Sequence, residues 1–169
     1  MSAGSQQMSE LPDWAKELLD GRRVATLATQ DADGSSHLTP VWFICQDQAL
    51  YVACPSRSRK AKNAAARPTA SLLIDMRNGG GECWVSGTGP VTILRGESSR
   101  ELNAAIQRRY LTSAALNDPR VGPGFAAVDD ITLCIRPTRW RSWASADVDR
   151  QFFGGILSAG SRKWFRELD

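Results

Sequence analysis

The stretch from residue 38 to residue 63 constrains the fold more than any other part of this chain. Its sequence, LTPVWFICQDQALYVACPSRSRKAKN, predicts a strand, a tight turn, a second strand and the start of a basic helix. Side chains alternate along a strand, so the first strand should present two different faces. These faces are Thr39, Val41 and Phe43 on one side and Pro40, Trp42 and Ile44 on the other.

The turn of this predicted hairpin falls at residues 46–48, where Gln-Asp-Gln interrupts the apolar pattern. A turn at that point places Cys45 opposite a residue near Leu50 and not opposite Cys54. The four cysteines contain no Cys-x-x-Cys pair, and His37 is the only histidine. We therefore expect four unpaired strand thiols and no structural zinc site.

The helix that follows the hairpin begins in a run of basic residues, SRSRK at residues 56–60. The first turn of a helix carries unpaired N–H groups and a partial positive charge. Arg59 and Lys60 at that point would make a seat for a phosphate group. Taken alone, the same residues also fit a solvated basic helix end.

Length and composition place this hairpin in one globular domain. The chain has 169 residues and a formal net charge of +3, too small by itself to indicate nucleic acid or a membrane as a partner. The basic-aromatic run at residues 136–143 does not change this, because the other basic residues are not gathered with it. No apolar run is long enough to cross a bilayer and the N-terminus has no apolar signal core, so we expect a cytoplasmic protein.

The remaining patterns predict a mainly β fold with attached helices. Strands are expected at residues 22–29, 38–44, 50–54, 69–76, 83–94 and from 130 onwards, and helices at 11–19, 58–67 and 97–110. Gly87, Gly89 and Pro90 predict a bulge or sharp bend in the fifth strand. Residues 31–34 predict a turn, residues 78–82 a flexible connection and residues 111–126 an irregular loop. Six short strands in this order favour a small, mostly antiparallel barrel or sandwich over a doubly wound sheet.

Three segments are expected along the chain. Residues 1–10 should form a mobile tail and residues 11–145 the barrel domain. Residues 146–169 are too apolar to float freely and could cover the barrel, a subunit interface or the site.

Several segments resemble the pyridoxamine 5′-phosphate oxidase-like flavin-binding split barrels. VATLATQDADGSSHLTPVWF at residues 24–43 is similar to the opening hairpin of that family, and LYVACPSRSRKAKN at residues 50–63 ends in its Ser-Arg-Lys-x-x-Asn segment. PTASLLID and ECWVSGTGPV fit its next two strands. The resemblance covers roughly residues 11–143 and implies a homodimer of six-stranded split barrels with two flavin sites between the subunits.

The resemblance also implies a set of cofactor-binding residues. The segment 37–42 would run along the flavin ring and ribityl chain, Ala53 and Cys54 would lie near the phosphate end, and residues 58–60 would hold the phosphate. Glu82 stands near the place of a flavin-contacting glutamine and departs from the family pattern. The positions carried over in this way are His37, Leu38, Thr39, Pro40, Val41, Trp42, Ala53, Cys54, Ser58, Arg59, Lys60, Asn63 and Glu82.

The implied function is a flavin-dependent oxidoreductase that uses FMN or the deazaflavin coenzyme F420. The cofactor supplies the hydride chemistry, so no catalytic side chain is assigned. Reduced nicotinamide or reduced F420 would be the electron donor, and a small molecule the substrate. The arginine and tryptophan arrangement of true pyridoxamine 5′-phosphate oxidases is only loosely echoed by RWRSW at residues 139–143, so that activity is not assigned.

Two alternatives to an oxidoreductase stay open at this stage. The first is a non-enzymatic module that binds a flavin or a planar tetrapyrrole-like ligand, and the second is a dimeric scaffold that has lost its cofactor. Trp42 fits either the core or the edge of the flavin. Tyr110 and Arg108 or Arg109 could approach a substrate, although the apolar face of a helix explains them equally well.

Overall fold

The secondary structure is known for residues 7–77, 81–127 and 130–166, which are the part of the chain that this computed structural model describes. The strands are β1 (Ala25–Gln30), β2 (Ser36–Val41), β3 (Ile44–Gln46), β4 (Ala49–Pro55), β5 (Thr69–Met76), β6 (Cys83–Leu94), β7 (Asp130–Ile135) and β8 (Arg139–Ala144). The helices are α1 (Asp13–Asp20), α2 (Arg59–Ala66), α3 (Glu97–Tyr110), α4 (Ser113–Asn117), α5 (Gly122–Ala127), α6 (Ser145–Phe153), α7 (Ile156–Ala159) and α8 (Ser161–Trp164), preceded by a 3₁₀ turn at Met8–Glu10.

The strands form one antiparallel sheet in the order β2-β1-β5-β6-β7-β4-β3, and β8 also pairs with β6. This is the split-barrel form of the mainly β fold that the sequence predicts. Strand β6 is the longest of these strands: its first half pairs with β8 and its last four residues pair with β7 on the same side. The long strand therefore links the two halves of the barrel.

No bulge interrupts β6 at Gly87, Gly89 and Pro90, because these residues pair one to one with β5. Gly89 instead marks a close approach of two backbones. A Cβ atom added at Gly89 would lie 2.1 Å from the carbonyl oxygen of Arg136 in the β7–β8 connection. The amide of Arg136 in turn donates to the carbonyl of Pro90 at 3.0 Å. A glycine is required where the chain crosses β6 at this distance.

The two faces predicted for the central hairpin are confirmed by burial in two separate apolar clusters. Val41 and Phe43 lie in the barrel core together with the inward side chains of the other strands. Ile44 belongs to a second cluster beneath α3, and Trp42 packs against the same cluster. The turn is also confirmed: Cys45 pairs with Leu50, and residues 47 and 48 both have positive φ, as a two-residue hairpin turn requires.

The predicted number of six strands was wrong, because two predicted strands are each divided. The first break, at residues 42–43, turns the chain from β2, which pairs with β1, to β3, which pairs with β4. The second break lies at Pro137, which cannot donate to a ladder and ends β7 before β8 begins. The described residues therefore form eight strands.

Other boundaries differ by a few residues, and one segment was wrong in kind. Residues 111–126, expected as an irregular loop, contain α4 and α5, and the hydroxyl of Thr112 caps α4. The mobile tail predicted at residues 1–10 includes the 3₁₀ turn, while its first six residues lie outside the described part, as do residues 78–80 of the predicted connection. Among the helices described, none is long and apolar enough to cross a membrane.

Candidate functional site

Strand β2 lies at an edge of the sheet and, within the described residues, pairs with β1 alone. The amide of Asp31 donates to the carbonyl of Ser35 at 2.9 Å, which fixes the residues of β2 that bond to β1. By this alternation, the backbone groups of Leu38 and the carbonyl of Pro40 point away from β1. Pro40 lacks an N–H group and is tolerated because its strand is an edge. The outer side of β2 can therefore bond to a ligand through its backbone.

The break between β2 and β3 is held in place by the end of helix α3. The hydroxyl of Tyr110 donates to the carbonyl of Arg23 at 2.6 Å and accepts from the amide of Phe43 at 3.3 Å. Its ring stacks on Trp42, with the two ring centroids 5.0 Å apart and the ring planes inclined by 1°. Arg109 donates to the last carbonyls of α1 and to that of Gly21, which follows the helix, at 2.6 Å. These contacts give Tyr110 and Arg109 a structural role.

The start of helix α2 meets the end of strand β4. The hydroxyl of Ser58 accepts from the amide of Ala61 at 3.3 Å and caps the helix. Cys54 lies beneath this cap, and burial raises the pKa of its thiol, an effect that the Ser58 hydroxyl and the charge of Lys60 partly offset. Cys54 is thus a buried thiol and not an activated nucleophile.

A groove of about 400 Å³ joins these elements. Its walls come from the end of β2, the end of β4, the start of α2, and helices α3 and α5. The residues that line it are Val24, Pro40, Val41, Trp42, Ala53, Cys54, Pro55, Lys60, Ile106, Gln107, Phe125 and Asp130. The structure therefore brings six of the thirteen predicted site residues to one cavity, namely Pro40, Val41, Trp42, Ala53, Cys54 and Lys60.

Arg59 points away from this groove. Its guanidinium binds the carboxylate of Asp31 through two contacts, Nε–Oδ1 at 2.8 Å and Nη2–Oδ2 at 2.6 Å. The amide of Asn63 donates to the same carboxylate at 2.8 Å. The pKa of Asp31 lies below its usual value, first because of the hydrogen bond from Asn63 and then because of Arg59. Arg59 and Asn63 therefore clamp α2 to the β1–β2 turn, in a second groove that Asp31 also lines.

The other predicted residues lie outside the groove lining. His37, Leu38 and Thr39 continue along β2, and the Thr39 hydroxyl oxygen is buried without a hydrogen-bond partner among the described residues. Ser58 acts as the cap of α2. Glu82 precedes β6, where its carbonyl accepts from the amide of Ser145 at 2.8 Å.

The wall that α3 and α5 contribute was missed at the sequence level. Ile106 and Gln107 line the groove, and the side-chain amide of Gln107 donates to the carbonyl of Phe125 at 3.4 Å. The sequence predicted the helix at residues 97–110 and an apolar face on it. It could not predict the strand on which the helix packs, because that depends on tertiary contacts.

The chemistry of the groove suits a planar ligand that carries an anionic group. The lining is mostly apolar, and Lys60 and Asp130 are its charged residues within the described chain. Lys60 lies at the start of a capped helix, where the free N–H groups favour an anion. The outward backbone groups of β2 supply polar partners for a ring. The described residues include no cluster of His, Cys, Asp or Glu that could hold a metal ion.

Comparison with known structures places this architecture among related folds. A conserved hypothetical protein from Mycobacterium tuberculosis superposes with a TM-score of 0.66 at 23% identity, covering 86% of this chain and 92% of the other. An F420 reductase gives 0.58 at 22% identity, covering 77% and 98%. The heme storage protein HutZ from Vibrio cholerae gives 0.61 at 16% identity, covering 79% and 94%. No curated protein sequence matches significantly.

A family model decides the relationship at the level of sequence. The model described as pyridoxamine 5′-phosphate oxidase matches residues 11–144, which is most of the chain and includes every element from α1 to β8. The solved structures share the split-barrel fold, and at their low sequence identities they show the fold alone. The chain belongs to the pyridoxamine 5′-phosphate oxidase family.

Proposed function

We propose that this protein binds FMN or the deazaflavin F420 in the groove between β2 and α2 and serves as an oxidoreductase for a small molecule. The observation that carries the proposal is the meeting, in one cavity, of the outward edge of β2 and the lysine at the start of α2. These two features suit the two ends of such a cofactor, a hydrogen-bonding ring and an anionic tail.

The ring end of the proposed ligand would lie along β2. Leu38 and Pro40 direct backbone groups outward, as the edge position of the strand allows. Trp42 is half-buried, stacks on Tyr110 and lines the groove, so this packed side chain would also flank the proposed ring. Aromatic and backbone contacts of this kind orient a planar ring without reacting with it.

The anionic end would lie at the start of α2, with Lys60 as its counter-ion. The resemblance also assigned the phosphate to Arg59, but that guanidinium already has a bidentate carboxylate partner in Asp31. We therefore give Lys60 and the backbone amides of the first turn the binding role. Arg59 acts through α2, which it fixes against the β1–β2 turn.

The bound flavin would supply the chemistry by accepting and passing on a hydride or an electron pair. The protein would bind the cofactor, orient it and exclude water with the apolar wall of α3 and α5. Reduced nicotinamide or F420 is the proposed electron donor. As the resemblance implies, a second copy of the chain would shield the bound ring at a groove between the two subunits.

A heme-binding storage module is the second candidate, since one structural neighbour is named a heme storage protein. The position of His37 disfavours it. The only histidine of the chain lies on β2 and outside the lining of the groove, so no imidazole faces that cavity. A flavin ligand therefore agrees better with the groove.

The visible spectrum of the purified protein, with mass spectrometry of what it releases on denaturation, tests the proposal. Protein without bound ligand should then be titrated separately with FMN, F420 and heme, and supplied with reduced nicotinamide or reduced F420. Binding of FMN or F420 together with oxidation of the donor supports the oxidoreductase. Binding without turnover supports a carrier, and tight binding of heme alone would overturn the flavin assignment.

A further inference from the structure

The C-terminal arm, defined here as residues 145–166, lies outside the part of the chain that the family model matches. The family match ends at residue 144, the last residue of β8, and the arm follows as helices α6, α7 and α8. The barrel is complete without it, because the sheet and its core are formed by earlier residues. The arm therefore needs a role other than completing the barrel.

The arm is folded upon itself. The side chain of Asp149, only 3% exposed, accepts hydrogen bonds from the amides of Leu157 at 3.1 Å and Ser158 at 2.7 Å. Gly154 and Gly155 both have positive φ, which permits the tight turn between α6 and α7. Asp147 and Arg150 form an ion pair within α6. A segment with these internal bonds has a defined shape in the isolated subunit.

The arm nevertheless exposes a concentration of large apolar side chains. They are Phe152 at 62% exposure, Phe153 at 51%, Ile156 at 59%, Trp164 at 49% and Phe165 at 38%. With roughly 200 Å² for a side chain of this size, the five leave about 500 Å² of apolar surface in water. Such a surface on one short segment is typical of an interaction site.

One more exposed aromatic side chain, Trp143 at 40%, lies on β8 directly before the arm. Within the described chain, β8 pairs only with β6, so its outer edge is open beside the base of the arm. The arm and Trp143 together supply more than half of the roughly 800 Å² per partner that a stable interface buries. The charged groups of α6 bind within the arm, and Lys163 lies over the ring of Trp164 at 4.7 Å. The exposed apolar side chains are therefore the feature of the arm that a second copy would cover.

We propose that the C-terminal arm packs against a second copy of this chain and forms a two-fold interface with it. A two-fold contact buries the same patch on both copies. The arm surface and Trp143 of each copy would therefore be buried against the other copy. This inference rests on the proposed function, which uses a homodimer. It adds the arm, which lies outside the family match, to the contact between the two copies. The arm of each copy is a hydrophobic anchor in that interface.

Sedimentation velocity over a range of concentrations tests the arm in the full-length protein. The variant F152S/F153S/I156S removes three exposed side chains, so it should fold as the wild type does, which circular dichroism can verify. V121S is the matched control, because Val121 is exposed to 37% but lies outside the arm. We expect a dimeric wild type, a dimeric control and a dissociation constant at least about 100-fold higher for the triple variant.

Three results would overturn the proposal. If the triple variant dimerises like the wild type, the arm is not part of the interface. The affinity of that variant for FMN or F420 then tests the proposed function separately. A wild type that is monomeric at about 50 µM removes the dimer altogether. Arm-dependent sedimentation with anionic lipid vesicles, together with unchanged self-association, would identify a membrane surface as the partner.

Discussion

The substitution Lys60→Ala distinguishes two accounts of the anion site. In ours Lys60 binds the anionic group, whereas the sequence motif alone also assigns that group to Arg59. Lys60→Ala should weaken FMN or F420 binding by about 1.5–3 kcal/mol, the usual contribution of a hydrogen bond to a charged group. That range corresponds to a loss of affinity of about 12-fold to 150-fold. The effect should fall mainly on the anionic tail, so a flavin without phosphate should lose much less.

Two neighbouring cations serve as controls for this loss. Arg59 is held by Asp31, and Lys62 is exposed on α2 outside the groove lining. An exposed charge contributes at most about 1 kcal/mol to a nearby interaction. Lys62→Ala and Arg59→Ala should therefore reduce affinity by no more than about fivefold. Arg59→Ala should also lower the unfolding midpoint, because it leaves the Asp31 carboxylate with fewer partners.

The assay is a fluorescence titration at constant ionic strength, with far-ultraviolet circular dichroism to verify that each variant is folded. The reasoning predicts that Lys60→Ala stands apart from the other two variants. If Arg59→Ala loses more affinity than Lys60→Ala, the guanidinium leaves Asp31 to bind the ligand, and our assignment is wrong. If Lys60→Ala binds FMN or F420 as tightly as the wild type does, the anionic group does not bind at the start of α2.

Three further predictions concern the scaffold of the site. Gly89→Ala should destabilise the protein by more than about 4 kcal/mol in urea unfolding, because its Cβ meets a backbone carbonyl at 2.1 Å, whereas Gly124→Ala, with open space around it, should be nearly neutral. Tyr110→Phe should cost about 1–2 kcal/mol of stability by the same measurement and still allow stacking on Trp42, so a larger loss of ligand affinity than of stability would contradict its structural role. The pKa of Asp31 is lower in the folded protein than its usual value of 3.8, so the carboxylate should stabilise the fold above that pH. This stabilisation should disappear as the pH falls through the folded-state pKa. A difference in unfolding free energy between the wild type and Asp31→Asn that persists in acid would refute this.

The fold could be predicted from the sequence wherever a local pattern decides the structure. The strands at Thr69–Met76 and Cys83–Leu94 and the helix at Glu97–Tyr110 have the predicted bounds, because their periodicity and flanking Gly and Pro are local signals. The hairpin turn at residues 46–48 was predicted for the same reason. The break at residues 42–43 could not be, because β3 pairs with a different strand from β2 and the pattern of apolar residues runs through both.

The candidate site was predicted in part for a related reason. A motif names neighbours in sequence, and Arg59 and Lys60 are adjacent, but consecutive residues of a helix point in different directions. Only the fold shows that Asp31, 28 residues earlier, binds Arg59 and leaves Lys60 to the groove. The wall formed by Gln107 and Phe125 likewise depends on where α3 and α5 pack.

Amide chemical shifts recorded during a titration with FMN, and then with F420, test the central claim most directly. The claim is that one ligand touches both the outer edge of β2 and the first turn of α2. We predict that one of the two cofactors shifts the amides of three segments together, with smaller changes elsewhere. These segments are residues 38–42 (except Pro40, which has no N–H), 53–54 and 58–61. Shifts confined to one of these segments, shifts centred on the second groove around Asp31, or no shifts with either cofactor would contradict the account.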